Sequence, residues 1–281
     1  DLSGLWKFMI DEETTPIDPK KPLPTEDVVS VPASFNDQTA SKKIREHNGF
    51  VWYETSFDIA KPLASQRLVL RFGSATHEAW VYLNGQEITH HKDGFTPFEG
   101  EINDYLVAND NRLTVKLSNI LDYTTLPVGN YSETTDASGH KIRHVDENFD
   151  FFNYAGLQRP VKIYSTPTSY INDITVVPNV DLENSRADAQ VKVATEGEFD
   201  DVKVTILDQD GKPIVSGHSA DQTLTIKDVH LWQPMPAYLY RARVEGLKNG
   251  QVIDSYTEEF GVRKVEVKNA QFLRNGGACY V

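Results

Sequence analysis

Apolar residues in this chain recur at every second position, in short runs closed by turn residues, and that period fixes the fold class. In 51–59, Val51, Tyr53, Thr55, Phe57 and Ile59 fall on one side and Glu54, Ser56 and Asp58 on the other. In 67–72, Leu68, Leu70 and Phe72 alternate with Arg67 and Arg71, and Leu113, Val115 and Leu117 repeat the pattern. Successive side chains of a strand point to opposite faces, so such runs read as half-buried strands. The run 80–83 ends in Asn84-Gly85. That pair suits a type I′ hairpin, whose two central positions need positive φ. With few helical stretches between them, these signals predict an all-β chain that begins with a β-sandwich of jelly-roll type.

The pattern restarts near Pro167. Runs at 170–177, 189–193, 202–207, 224–226, 238–244 and 256–262 follow at the spacing of an immunoglobulin-like β-sandwich. The expected domains are 1–167 and 168–266, with 267–281 remaining. Residues 121–148 are polar, with Ser-Glu-Thr-Thr-Asp-Ala-Ser-Gly in the middle. They read as one long loop, either functional or disordered.

Composition narrows the partners. The formal charge is −13, from 28 basic and 41 acidic residues, so nucleic acid and anionic membrane are not expected partners. The single cysteine, Cys279, leaves no internal disulfide framework and no cysteine-rich metal site. It fits a reducing compartment, and a cytoplasmic location is the expectation. No apolar run approaches the roughly 18 residues that span a bilayer. His77, His90, His91, His140 and His144 raise a metal reading. Neighbours on a strand face opposite ways, however, so His90 and His91 do not easily share an ion, and no carboxylate spacing completes a site. No phosphate loop or nucleophile elbow is present. Neither a metal nor a cofactor is expected.

The stretch 149–160, Phe-Asp-Phe-Phe-Asn-Tyr-Ala-Gly-Leu-Gln-Arg-Pro, concentrates the chemistry. Asp150 lies among Phe149, Phe151, Phe152 and Tyr154, too many aromatics for an ordinary solvated loop. If some of them pack, they hold Asp150 in one place. A fixed carboxylate between rings can grip a sugar, since its oxygens accept hydroxyl hydrogen bonds and the rings cover C–H faces. The competing reading is structural: a strand-end acid paired with Arg159 or capping a turn.

The same residues carry a resemblance. Asp150 to Arg159 is similar to the Asp-Phe-Phe-Asn-Tyr-Ala-Gly-Ile-x-Arg signature of β-glucuronidases in glycoside hydrolase family 2. Val31-Pro-Ala-Ser-Phe-Asn-Asp-Gln38 resembles a second segment of that group. Leu2 to Phe8, Gly49 to Tyr53, Val81 to Gln86 and Gly94 to Phe98 resemble further parts of the family's sugar-binding domain. His230-Leu-Trp-Gln-Pro and Tyr238-Leu-Tyr resemble markers of its second, immunoglobulin-like domain. The resemblance implies a galactose-binding-like jelly roll followed by that second sandwich. It makes Asp150 a substrate-binding residue that reaches into the active site of a neighbouring barrel. The position before it, often His in the family, is Phe149 here. Trp232 reads as a core or inter-domain anchor.

A (β/α)₈ barrel takes about 250 residues, and the second sandwich already occupies the chain beyond 167. No (β/α)₈ barrel is expected here, and 267–281 would begin a linker to one. Retaining glycoside hydrolysis needs two carboxyl groups about 5–5.5 Å apart. The resemblance puts both, as glutamates, on the barrel. No catalytic residue is therefore expected in this chain. Asp146, Glu147 and Asp150 are close in sequence, but nothing sets their pKa values apart as acid and nucleophile must be.

The expectation is an N-terminal fragment of a β-glucuronidase-like hydrolase acting on terminal β-D-glucuronides. The fragment alone would be inactive, with the glucuronide and the barrel of the same parent protein as its partners. Homo-oligomerisation stays open. A β-galactosidase-like fragment and a stand-alone carbohydrate-binding module are the alternatives. The module would need an exposed aromatic platform, with Trp52 or Trp80 as candidates.

Overall fold

A computed structural model describes residues 1–279 apart from positions 64, 140, 148, 149 and 151. The chain divides into two compact units, Asp1–Ser165 and Thr166–Val281. In the first unit the strands are β1 (Gly4–Ile10), β2 (Val28–Val31), β3 (Phe50–Phe57), β4 (Arg67–Phe72), β5 (Glu78–Leu83), β6 (Gln86–Lys92), β7 (Phe98–Glu101), β8 (Asn111–Ser118), β9 (Gly129–Thr135), β10 (Lys141–Glu147) and β11 (Val161–Thr166). A short helix, α1 (Lys42–Arg45), precedes β3.

Six strands form one sheet in the order β2-β1-β3-β8-β5-β6, and β11-β4-β7 form a second. The alternation predicted for 51–59, 67–72 and 113–117 is realised as β3, β4 and β8. Across β3, β8 and β5 the register sets Val51, Leu117 and Ala79 in one row and Tyr53, Val115 and Val81 in the next. These residues are fully or almost fully buried, and they pack with Leu68, Leu70, Phe72 and Val161 of the smaller sheet in one core. Burial of such side chains contributes on the order of 1.5–3 kcal/mol each. The unit is thus a β-sandwich of jelly-roll type.

The outer face of the large sheet follows the same register. Trp52, Lys116 and Trp80 lie side by side across β3, β8 and β5, and His90 of β6 pairs with Trp80. The Lys116 ammonium sits 4.0 Å from the Phe50 ring centroid and 5.4 Å from that of Trp80. A cation held between rings in this way adds a favourable cation–π contribution to the row.

Residues 121–148, expected as a loop, contain the antiparallel hairpin β9–β10. Charge rather than apolar burial holds it. Arg143 Nη2 lies 2.5 Å from Glu13 Oε1, its Nε lies 3.4 Å from Glu133 Oε2 and donates to the Tyr131 hydroxyl, and its guanidinium carbon stands 5.7 Å from the Phe50 centroid.

In the second unit the strands are β12 (Tyr170–Asp181), β13 (Arg186–Glu196), β14 (Asp201–Leu207), β15 (Pro213–His218), β16 (Asp221–Lys227), β17 (Tyr240–Lys248), β18 (Gln251–Phe260), β19 (Val265–Lys268), β20 (Gln271–Arg274) and β21 (Gly277–Ala278). Sheets β12-β13-β16 and β15-β14-β17-β18 enclose a core that includes Val191, Val204, Ile226 and Val244, an immunoglobulin-like sandwich. Strands β19, β20 and β21 form a small antiparallel sheet. Trp232 ties this sheet to the end of β18: its N–H donates to Val262, its carbonyl accepts from Asn275 Nδ2, and Arg263 lies over its ring. Gly261 lets the indole approach, since a Cβ there would meet it at 2.7 Å.

The Asn84-Gly85 turn forms as the sequence indicates, with φ of 51° and 82°. Asn84 also works through its side chain, donating to the Tyr105 carbonyl and to Asn111 Oδ1 and accepting from the Arg112 N–H. Asn84→Gly keeps the turn geometry but removes these bonds next to buried Asn111. It is expected to destabilise the first unit by about 1–3 kcal/mol in urea titration. A loss under about 0.5 kcal/mol would mean that only the backbone conformation matters.

Candidate functional site

Segment 150–159 crosses the edge of the first sandwich, and its buried positions determine where its exposed ones stand. Ala155 and Leu157 are fully buried. Their carbonyls accept from Phe35 and Ala33, and the Gly156 carbonyl accepts from Thr76 at the entrance to β5. Gly156 has φ of +132°, and a Cβ there would stand 2.8 Å from the Tyr53 hydroxyl oxygen, so this close crossing requires glycine. The Ala155 N–H donates to Asn36 Oδ1, and Asn36 in turn donates to the Arg45 carbonyl of α1.

Asn153 is the side chain that turns inward. It is 7% exposed. Its Oδ1 lies 2.7 Å from His77 Nε2, and its Nδ2 donates to the Asn119 carbonyl at 3.0 Å. Asn119 is itself buried, bonded to the Gly49 N–H and the His47 carbonyl. Alternation then turns Phe152 and Tyr154 outward, 39% and 44% exposed, with ring centroids 4.9 Å apart and Arg45 over Phe152 at 5.9 Å.

Asp150 is exposed. Among the described residues it is therefore the buried amides, not the aromatic rings, that anchor the segment; Phe149 and Phe151 lie outside the described residues. The structural alternative for Asp150 named Arg159 as its partner. Arg159 instead donates to the Phe95 carbonyl at 3.0 Å. Asp146 is exposed on β10. Sequence reasoning missed Asn153, Asn119 and His77, because each is satisfied by residues remote in sequence. The one local signal was a polar Asn inside an otherwise apolar Phe-Phe-x-Tyr-Ala-Gly-Leu run.

Neither tryptophan offers a bare platform. Trp52 is 3% exposed, stacked on Tyr82, and its Nε1 donates to Asp11. The ring of Trp80 is covered by His90 at 4.9 Å and flanked by Phe50. Two clefts of about 590 Å³ border loop 11–18, and none of the described residues of 150–159 lines either. Of the cations there, Lys43, Lys141 and Arg143 are paired with Glu12, Glu133 and Glu13, and Lys21 lines the first cleft as well. Among the described residues no cluster of three or more His, Cys, Asp or Glu could hold a metal ion. No helix among the described residues is long and apolar enough to cross a membrane.

The model of the sugar-binding domain of glycosyl hydrolases family 2 matches residues 1–167, and a second model of that family matches 169–263. The chain belongs to glycosyl hydrolase family 2. It is 42% identical to a β-glucuronidase of Streptococcus agalactiae over the whole chain and 46% of the relative. A β-glucuronidase of Faecalibacterium prausnitzii superposes with a TM-score of 0.85 at 42% identity, covering 99% of this chain and 48% of that one. The Bifidobacterium dentium enzyme, solved with coumarin-3-O-glucuronide, superposes with a TM-score of 0.90 at 36% identity, covering 99% and 50%. This family 2 chain thus spans about half the length of the relatives it matches.

One consequence of the site's packing is a pH dependence. Burial holds His77 below the usual histidine pKa, opposed by its hydrogen bond to Asn153 and by the Asp93 charge. The unfolded chain takes up this proton first as the pH falls. The contribution of His77 to stability is therefore complete above about pH 6.5 and is lost below it, toward the lower folded value. The thermal midpoint of the first unit should fall over this window, and fall less steeply in His77→Gln. Parallel profiles for the two proteins would exclude His77 as a source.

Proposed function

We propose that this chain is the substrate-side, non-catalytic part of a β-glucuronidase that releases terminal β-D-glucuronic acid with retention of configuration. Asp150 carries the reading. It is exposed on a segment anchored through the Asn153 side chain and the Ala155 N–H, and its oxygens can accept hydroxyl hydrogen bonds from a sugar. The β-glucuronidase relatives, one of them solved with a glucuronide, support the substrate class. The family resemblance assigns the acid/base and nucleophile glutamates to a barrel. The described residues form two β-sandwiches, the β9–β10 hairpin and a small sheet, which supports an inactive chain when it stands alone. A cytoplasmic location belongs to the same reading, supported by the lone Cys279. The β-galactosidase alternative finds less support in these relatives, and the covered faces of Trp52 and Trp80 weigh against a self-sufficient binding module.

The test is a chimera that joins this chain to the carboxy-terminal half of the Streptococcus agalactiae relative. The chain alone should not turn over a chromogenic β-glucuronide, whereas the chimera should. Asp150→Ala in the chimera should lower kcat/KM about ten- to a hundredfold, the loss of a charged hydrogen-bonding partner. The loss should be equal for all aglycones and not rescued by azide, whereas removal of a nucleophile costs on the order of a millionfold. Turnover by the repurified chain alone would overturn the proposal. Azide rescue, or a loss that tracks leaving-group pKa, would overturn the binding role of Asp150.

A further inference from the structure

His77 is an expensive residue for its position. It is 2% exposed, and its Nδ1 has no hydrogen-bond partner among the described residues. An apolar side chain would fill the same space without leaving a buried polar atom unpaired. What the imidazole adds is one bond, from Nε2 to Asn153 Oδ1. The Asn153 amide is oriented by its other end, since Nδ2 donates to the Asn119 carbonyl. Oδ1 is therefore the atom that faces the ring, and Nε2 must carry the hydrogen.

The ring is held in place to make that bond. The backbone N–H of His77 donates to the Ser118 carbonyl at the end of β8, and that of Thr76 donates to the Gly156 carbonyl. Phe95 meets the imidazole edge-on at 5.8 Å. Gly94 closes over it so tightly that a Cβ would stand 2.6 Å from Nδ1. Beside the ring is a cavity of about 100 Å³, lined by Lys92, Asp93, Thr124 and Thr125 among others. Lys92 is already bonded to Thr124 and near Glu78, and Asp93 accepts from the Phe95 N–H.

We infer that His77 is a positioning residue: as the neutral Nε2–H tautomer it fixes Asn153, and through Asn153 it sets where the segment presents Asp150. The effect on sugar binding rests on the glucuronidase reading above. The effect on the segment does not, and the experiment separates the two.

Amide hydrogen exchange in the 281-residue chain would be compared for wild type, His77→Phe and His77→Gln. Glutamine can donate in place of Nε2, and phenylalanine cannot. The reporters are the N–H of Ala155, bonded to Asn36, and that of Phe35, bonded to the Ala155 carbonyl. His77→Phe should raise exchange at both about tenfold, the worth of one hydrogen bond, and leave the β3–β8 ladder unchanged. His77→Gln should restore protection. If His77→Phe does not fold, Asn153→Ala removes the same bond from the other side and should give the same local pattern. A uniform rise across the first unit, no change, or equal behaviour of the Gln and Phe variants would overturn the positioning role. In the chimera, His77→Phe should lower kcat/KM about tenfold, and adding it to Asp150→Ala should cost little more. Full additivity there, with the local exchange pattern intact, would overturn only the link to Asp150.

Discussion

The buried amide of Asn153 is the contact on which the edge of the first sandwich depends. A side-chain amide out of water costs about 1–3 kcal/mol for each group left unpaired. Here both ends are satisfied, by His77 at the start of β5 and by the Asn119 carbonyl after β8. Asn36 does the same for the Ala155 N–H from the opposite side. These partners lie far apart in sequence, so the segment finds its position only when the sandwich is assembled. A polar cluster of this kind, with its bonds made, specifies one arrangement and opposes slippage. The exposed residues beside these anchors, Phe152 and Tyr154, inherit that arrangement.

The large sheet supplies the rigidity. Its inner rows are apolar across β3, β8 and β5, so a one-residue slip would turn every core side chain to the outside. Its outer row puts Lys116 among Phe50, Trp52 and Trp80. The ends of these strands carry His77 and Asn119, and a fixed register fixes them. The hairpin β9–β10, which precedes the segment in sequence, is pinned by Arg143 against Glu13 and Phe50.

Much of the fold was legible because strand periodicity and apolar burial coincide. Val51 to Phe57, Leu68 to Phe72 and Leu113 to Leu117 alternate because one face of each meets the core, and Asn84-Gly85 announces its hairpin through backbone chemistry alone. The hairpin β9–β10 was not legible, since both faces are polar and its stability comes from ion pairs with a loop more than a hundred residues earlier. Strand β15 escaped because it is an edge strand that begins at Pro213 and contains Gly217, both weak strand signals. Trp52 was read as a candidate platform from its place opposite the core, but Tyr82 and Asp11 cover that face. At the site, Asp150 stood out by local sequence, while the residues that fix its segment did not. Hydrogen bonds between loops have no period.

The central claim is that this segment presents the Asp150 carboxylate to a glucuronide. A crystal structure of the chimera with a bound glucuronide analogue tests it most directly. The account predicts an Asp150 carboxylate oxygen about 2.6–3.2 Å from a sugar hydroxyl, with the Asn153–His77 hydrogen bond intact. A sugar bound out of reach of Asp150, or an Asp150 turned inward to pair with a cation of its own sandwich, would contradict it.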